Sequence, residues 1–161
     1  MKLKNFLITV RDMELSRRFY RELFGLETVA DFGENVVLTG GLVLQEETLW
    51  ESWIGREVSR GGCDAELYFE DTDLDGFLEK LEKSPFPPEY LNPCIEHDWG
   101  QRVVRIFDPD RHVIEIGEPM EAVARRFLAS GMSPRETAEK TQMLLQEVEN
   151  IARSMEQSRL N

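Results

Sequence analysis

The side chains best suited to contacting a small molecule are grouped in one short stretch of the chain. His97 and Trp99 stand close to Gln101 and Arg102, so an imidazole and an indole adjoin two side chains rich in hydrogen-bond donors. Sites for small molecules combine apolar or aromatic walls with a few polar groups of this kind. We therefore predict that these four residues bind a ligand. The second histidine, His112, follows a turn and is predicted to be structural.

Several kinds of catalytic site have no counterpart in this sequence. Cys63 and Cys94 lack the C-x-x-C spacing of a metal or redox pair, and two cysteines make no disulfide framework. Neither histidine lies near a motif for a nucleophile, and no glycine-rich phosphate loop is present. Nucleophilic catalysis of the Ser-His-Asp or Cys-His type is therefore unsupported.

Short strands and helices along the chain must position these residues. In the first half, a largely apolar strand at 3–10 precedes a helix that Asp12 caps and Gly25 ends. Three short strands bounded by glycines follow, at 27–32, 35–39 and 42–46. The predicted order is one strand, one helix and three strands.

The second half repeats this plan. The spacing from Asp12 to Asp73 equals that from Asn5 to Glu66, so the next strand and helix fall at corresponding positions. A proline-rich stretch at 85–93 interrupts, and strands at 102–107 and 112–117 close the half. We predict a two-fold repeat of a β-α-β-β-β unit whose halves must pair, because one such unit cannot close its own core.

Residues 119–161 differ from the rest in composition and favour helices at 120–130, 134–141 and 145–154. Ser133 and Glu136 form a capping box, with a proline at the first helical position between them. The spacing resembles a helix-turn-helix, but the second helix is not basic. We therefore predict an arm that packs or stabilises a dimer, and not a DNA-binding element.

The charge of the chain limits its partners. Its 161 residues carry a formal net charge of −12, and 41% of them are hydrophobic, as in ordinary globular proteins. So acidic a surface repels phosphate backbones, and nucleic-acid binding is not expected. No apolar run approaches the roughly 18 residues of a membrane span, and no signal peptide is recognised at the N-terminus. We expect a cytoplasmic protein with no membrane partner.

Motifs near both ends of the first 118 residues resemble a known superfamily. Ile8-Thr9-Val10-Arg11-Asp12, then Phe19-Tyr20 and Leu23-Phe24-Gly25, resemble the opening of vicinal-oxygen-chelate proteins. That superfamily contains glyoxalases, bleomycin-resistance proteins and dioxygenases. Asp108-Pro109-Asp110 with Ile114-Glu115 resembles their closing hairpin, and Trp99-Gly100 looks like the bleomycin-resistance branch.

The resemblance implies an α+β fold with a domain at 1–118 and a helical extension at 119–161. Two paired βαβββ modules, about 1–60 and 61–118, would form a cup-shaped sheet that holds a small-molecule ligand. The resemblance also implies a homodimer, since cups in this superfamily are often completed by a partner chain.

Metal-using members of the superfamily take ligands from the first and last strands of each half. Carried over, these positions are Asn5, Gln45, Glu66 and Glu115, where many members have histidine at the positions of Asn5 and Glu66. Oxygen donors suit one hard divalent cation, such as Mg, Mn or Ni, better than Zn. In a glyoxalase-like reaction, Glu66 and Glu115 would be the catalytic bases.

Three functions stay open at this point. The first is metal-free binding of a small molecule, with Glu66 and Glu115 holding a cationic or hydroxylated ligand or pairing with Arg102 or Arg105. The second is a metal-dependent lyase or isomerase of the glyoxalase type that acts on a small oxygenated metabolite. The third is a ligand-sensing regulator that uses the C-terminal helices. An extradiol dioxygenase is not expected, because its ferrous iron needs two histidines and a carboxylate.

Overall fold

Strands and helices alternate along the chain in the computed structural model, which describes residues 1–160. The strands are β1 (Phe6–Val10), β2 (Thr28–Asp31), β3 (Asn35–Leu38), β4 (Leu42–Glu46), β5 (Glu66–Glu70), β6 (Glu89–Glu96), β7 (Arg102–Phe107) and β8 (Val113–Gly117). The helices are α1 (Met13–Phe24), α2 (Glu47–Ile54), α3 (Leu74–Lys83), α4 (Met120–Ala129), α5 (Pro134–Thr141) and α6 (Leu145–Leu160).

The strands form two four-stranded sheets with the same internal order. The first sheet is ordered β1-β4-β3-β2 and the second β5-β8-β7-β6, so in each half the first strand pairs with the last. In the first sheet β1 runs parallel to β4, with Thr9 opposite Gln45, whereas β3 runs antiparallel to β4. The predicted α+β fold of two βαβββ modules with C-terminal helices is therefore confirmed.

Helix α1 begins and ends where the sequence places its caps. The Asp12 side chain accepts a hydrogen bond from the Leu15 N–H at 3.0 Å, which satisfies a backbone donor of the first turn. Gly25 adopts the left-handed conformation with φ of 66° and ends the helix. Between these caps, the apolar stripe of α1 buries Phe19, Tyr20 and Leu23. The helix thereby fixes the position of the Tyr20 hydroxyl.

The chain divides into two compact units, of which only the first includes residues from both halves of the repeat. The first unit comprises Met1–Leu67, Glu79–Leu91 and Ile106–Ile114, and the second comprises Tyr68–Leu78, Asn92–Arg105 and the chain from Glu115 onward. The buried core of the first unit includes Val10, Phe19, Leu44 and Ile106. That of the second unit includes Val103, Ile116, Val123 and Val148.

Two elements differ from the sequence-based expectation. The proline-rich stretch at 85–93, predicted to be an interruption, contains the start of strand β6. Helix α6 runs beyond the predicted end at 154. Elsewhere in the C-terminal region, the predicted capping box of Ser133 and Glu136 is formed at the start of α5. Within residues 1–160, no helix has both the length and the apolar character needed to cross a membrane.

Candidate functional site

The first unit contains a cavity of about 230 Å³ beside strand β1. Its walls come from 6–9 of β1, the segment 58–67, Trp50 of α2 and residues 110–113. Because β1 stands at the edge of its sheet, this cavity follows an open strand edge. Apolar and polar residues therefore line one partly open cavity in the size range of a small metabolite.

Helix α2 presents an indole to this cavity. The helix begins directly after β4, where the Glu46 carboxylate accepts hydrogen bonds from the backbone N–H groups of Leu49 at 2.6 Å and Thr48 at 2.9 Å. These two bonds lower the pKa of Glu46 and hold the first turn in place. Trp50 lines the cavity, whereas Trp53, one turn later, is 61% exposed. The two indoles therefore occupy different environments on one short helix.

An ion-pair network holds the segment that covers the cavity. Arg60 of that segment pairs with Glu47 of α2, and its Nε lies 3.8 Å from Oδ1 of Asp110. Arg11 approaches the same Asp110 oxygen from β1's end, donating from Nε at 2.7 Å. Asp110 is only 2% exposed, so its charge is offset by two guanidinium groups instead of water. The network ties the covering segment to α2 and to the turn before β8.

A second polar network surrounds the buried carboxylate of Asp108. Its Oδ2 accepts a hydrogen bond from the Tyr20 hydroxyl at 2.7 Å, and Nδ1 of the His112 ring lies 2.9 Å from the same oxygen. Its Oδ1 accepts from the backbone N–H groups of Asp110 at 2.9 Å and His112 at 2.8 Å. Complete burial, with the nearby charge of Asp108, raises the pKa of Tyr20 well above its usual value, so this hydroxyl stays a donor.

The backbone of the turn brings His112 to the cavity. Arg111 adopts a left-handed conformation with φ of 69°, a region that favours glycine, and its N–H donates to the Asp108 carbonyl at 3.0 Å. This turn places His112 among the residues that line the cavity, with its side chain 25% exposed. Sequence reasoning assigned His112 a structural role, and the four-residue separation from Asp108 was the signal that could have shown the pairing.

The four residues of the predicted metal set lie in different surroundings. Asn5 precedes β1 and is exposed, and Glu66 lines the cavity at the start of β5. Gln45 is fully buried: its Oε1 accepts from the Asn35 amide at 2.8 Å and its Nε2 donates to the Glu34 carbonyl at 3.0 Å. Glu115 belongs to the second unit, where it is 7% exposed and pairs with Arg105.

The donors of this set do not fit a shared ion in the first unit. Thr9 is the β1 residue opposite Gln45, whereas Asn5 lies four residues earlier, before β1 begins. The Gln45 amide also has both ends engaged within its own sheet. Among residues 1–160, no group of three or more histidine, cysteine or acidic side chains is arranged to hold a metal ion.

The four residues predicted to bind a ligand belong to the second unit and contact one another. The Trp99 indole N–H donates a hydrogen bond to Gln101 Oε1 at 3.1 Å. The His97 ring stacks on the Trp99 indole, with 4.2 Å between the ring centroids. Gln101 Nε2 donates to the Glu118 carbonyl at 2.9 Å, and Arg102 pairs with the Glu118 carboxylate at 2.9 Å. None of these four side chains is among the residues that line the cavity described above.

The carboxylate of Glu118 sits at the centre of this second-unit cluster. Burial alone would raise its pKa, but hydrogen bonds from the side chain and backbone of Arg102, with the charge of Arg126, lower it below the usual value. Because Glu118 immediately precedes Pro119 and helix α4, these bonds join the turn at 97–101 to the start of the C-terminal helices. The predicted ligand-binding stretch thus has a defined packing role.

Comparison with known proteins identifies relatives of the chain. A family model for the glyoxalase-like domain matches residues 3–121. A solved protein of unknown function from Agrobacterium tumefaciens is 34% identical with a TM-score of 0.64, covering 74% of this chain and 94% of that one. A glyoxalase-related enzyme from Fulvimarina pelagi is 23% identical with a TM-score of 0.63, covering 73% and 88%. A lactoylglutathione lyase from Agrobacterium tumefaciens is also 23% identical, with a TM-score of 0.56, covering 73% and 92%. No protein of curated function matches.

The length of the chain that the family model matches determines whether these similarities show membership of the family. Residues 3–121 include both halves of the repeat and all eight strands, so the match spans most of the chain. The two structures at 23% identity share the fold and carry no argument about substrate. The resemblance seen in the sequence is confirmed: the chain belongs to the glyoxalase-like domain family of the vicinal-oxygen-chelate superfamily.

Proposed function

We propose that this protein binds a small neutral or cationic molecule, rich in hydroxyl or amino groups, in the cavity of its first unit. The observation that carries the proposal is the cavity itself, which combines the Trp50 ring with the polar side chains of Thr9, Glu66 and His112. Small-molecule sites have this composition, with apolar walls and a few convergent polar groups. The volume of about 230 Å³ is below that of sites for drug-sized ligands, which favours a small metabolite.

The charges around the cavity favour that class of ligand over an anion. Its two arginines are engaged with carboxylates: Arg60 with Glu47 and Asp110, and Arg111 with Glu89. Two further acidic side chains, Asp64 and Glu66, also line the walls, while Asp110 is already paired with Arg11 and Arg60. The net charge of −12 adds a negative field over the whole chain. A cationic or hydroxylated ligand therefore meets complementary charge.

The test is a binding screen of small amines, amino alcohols and polyols, read by calorimetry and by tryptophan fluorescence. Trp50→Phe removes the indole that lines the cavity, and Trp53→Phe is the matched control on the same helix. Ala65→Trp fills the cavity from its wall, with the exposed Ala129→Trp on helix α4 as its control.

We expect Ala65→Trp to abolish binding of each hit and Trp50→Phe to weaken it by several-fold. Both control variants should bind as wild type does. Hits that bind equally well to Ala65→Trp, or no binding by any compound of these classes, would overturn the proposal. Thermal unfolding of each variant separates a lost site from a lost fold.

The metal-dependent lyase or isomerase remains the alternative function. It needs Asn5, Gln45, Glu66 and Glu115 to act together, and the engaged amide of Gln45 speaks against that set. Metal-free binding is therefore the function that the geometry of the cavity supports best.

A further inference from the structure

The Asp108 carboxylate fixes which nitrogen of His112 carries the proton. An ionised carboxylate has about four acceptor positions and no donor. Four groups point at Asp108: the Tyr20 hydroxyl, two backbone N–H groups and the His112 ring. The backbone groups can only donate, and burial keeps the Tyr20 hydroxyl protonated. An ionised Asp108 that accepts from all four satisfies every partner, so Nδ1 of His112 donates.

With the proton on Nδ1, the other ring nitrogen of a neutral imidazole is an acceptor. Asp108 is completely buried at the Nδ1 side of the ring, while the His112 side chain stays 25% exposed and lines the cavity. The neighbouring Arg111 does not compete for this acceptor, because its guanidinium pairs with Glu89 and lies 4.3 Å from the Phe107 ring centroid. Nε2 is thus the ring nitrogen that carries no proton in the neutral imidazole.

We propose that Nε2 of His112 is the hydrogen-bond acceptor for a hydroxyl or ammonium group of the ligand, with Asp108 as the positioning residue. This inference rests on the proposed function and assigns the polar contact of that site. It also gives the site a base, since a neutral imidazole held by a carboxylate can take up a proton from the bound group.

The first experiment needs no ligand. Long-range ¹H–¹⁵N correlation spectra at about pH 8, above the usual histidine pKa of roughly 6.5, report the tautomer of each imidazole. The chain has two histidines, so His97→Gln assigns the signals. We expect His112 to be protonated on Nδ1 in wild type and to lose this preference in Asp108→Asn. Protonation of wild-type His112 on Nε2 would overturn the inference, even if Asp108→Asn fails to fold.

The second experiment uses diethyl pyrocarbonate, which acylates an accessible unprotonated imidazole nitrogen, with mass spectrometry to locate the adduct. We expect wild-type His112 to react and Ala65→Trp to slow the reaction at least tenfold. An unreactive His112 in wild type, or equal rates in both proteins, would contradict an acceptor that faces the cavity. His97 gives the internal reference, because it lies in the second unit and stacks on Trp99.

Compounds from the binding screen then separate this inference from the proposed function. We expect His112→Phe to weaken their binding at least tenfold and His97→Gln to leave it unchanged. If Ala65→Trp abolishes binding but His112→Phe does not weaken it, the cavity binds the ligand and the role of His112 is wrong. If Ala65→Trp leaves binding intact, the proposed function itself fails.

Discussion

Gly100 offers a direct test of the packing role assigned to the stretch at 97–102. Its φ of 87° lies in the left-handed region, and its backbone N–H donates to the His97 carbonyl at 2.8 Å. A Cβ added at Gly100 would lie 2.3 Å from two ring carbons of Phe127 on helix α4. The substitution Gly100→Ala therefore strains the backbone and drives a methyl group into an aromatic ring.

The backbone strain and the clash with Phe127 each lower the free energy of unfolding of Gly100→Ala, and the two effects can be estimated separately. A left-handed conformation costs a non-glycine residue about 1–2 kcal/mol. Overpacking against a well-placed ring costs about 1–3 kcal/mol more. The smaller entropy of the unfolded alanine variant returns about 0.4–1 kcal/mol. We therefore expect Gly100→Ala to lower the free energy of unfolding by about 2–4 kcal/mol.

Gly131→Ala is the matched control. Gly131 has φ of 99° in the same unit, but no atom lies within 4 Å of the position its Cβ would take. Gly131→Ala should lower the free energy of unfolding by the backbone cost alone, about 1 kcal/mol. Urea unfolding followed by circular dichroism measures both variants, and the difference between them isolates the contact with Phe127.

Equal losses in the two variants would refute the reasoning. They would mean that the turn at Gly100 does not pack on Phe127, and the ligand-contact hypothesis for Trp99 and its neighbours would regain support. Gly100→Ala should also leave ligand binding in the first-unit cavity unchanged, because Gly100 is not among its lining residues.

Three further predictions concern an acid-sensitive carboxylate, a helix cap and metal binding. Because the pKa of Glu118 is lowered from 4.5, its stabilising contribution should be present above about pH 4.5 and lost as pH falls below it, so Glu118→Gln should flatten the acid limb of a stability profile. Ser133→Ala removes the cap of α5 and should cost about 0.5–2 kcal/mol in thermal unfolding, whereas Ser130→Ala should cost less. Elemental analysis after incubation with Mg, Mn, Ni, Zn or Ca should find less than one equivalent bound, because the Gln45 amide is engaged. One equivalent lost in a Glu66→Ala/Glu115→Ala variant would contradict this.

Local signals in the sequence were sufficient for most of the fold. The cap residues Asp12 and Gly25 bound α1 in the structure as predicted, and the strands predicted at 42–46 and 102–107 coincide with β4 and β7. The internal repeat predicted two equivalent modules, and the two sheets have the same strand order. The caps and the individual strands depend on neighbouring residues only. The homodimer and the cytoplasmic location stay predictions.

Strand β6 shows why a prediction from neighbouring residues fails when the position of a strand in its sheet determines which residues it tolerates. Pro93 lies inside this strand, although proline cannot donate a hydrogen bond to a neighbouring strand. Proline is tolerated on edge strands, and β6 is the edge of the second sheet. The strand order is a long-range property, so the same residues could not be distinguished from a loop by composition.

The candidate site was harder to predict for the same reason. The pairing of Asp108 with His112 depends on the left-handed conformation of Arg111. No residue pattern in the sequence predicts that an arginine adopts this conformation. The segment at 58–65 carries no motif, yet its Arg60 pairs with Glu47 and covers the cavity. The residue types at 97–102 suggested a ligand site, and the structure adds hydrogen-bond and ion-pair partners for them within the second unit. Ligand binding by these residues stays a prediction.

In both halves of the repeat, the last strand carries a polar residue that pairs with the neighbouring strand. This similarity bears on the choice between metal-dependent and metal-free function. In the first half, Gln45 on β4 is bonded to Asn35 on β3, and in the second half Glu115 on β8 pairs with Arg105 on β7. Each last-strand residue that the superfamily resemblance implies as a metal ligand is thus partnered by the strand next to it. The second-half pair is charged and the first-half pair neutral, but both engage a residue of the adjacent strand. A metal ion shared by Gln45 and Glu115 would require both side chains to leave these partners, whereas the metal-free site that we propose leaves both pairs in place to stabilise their sheets.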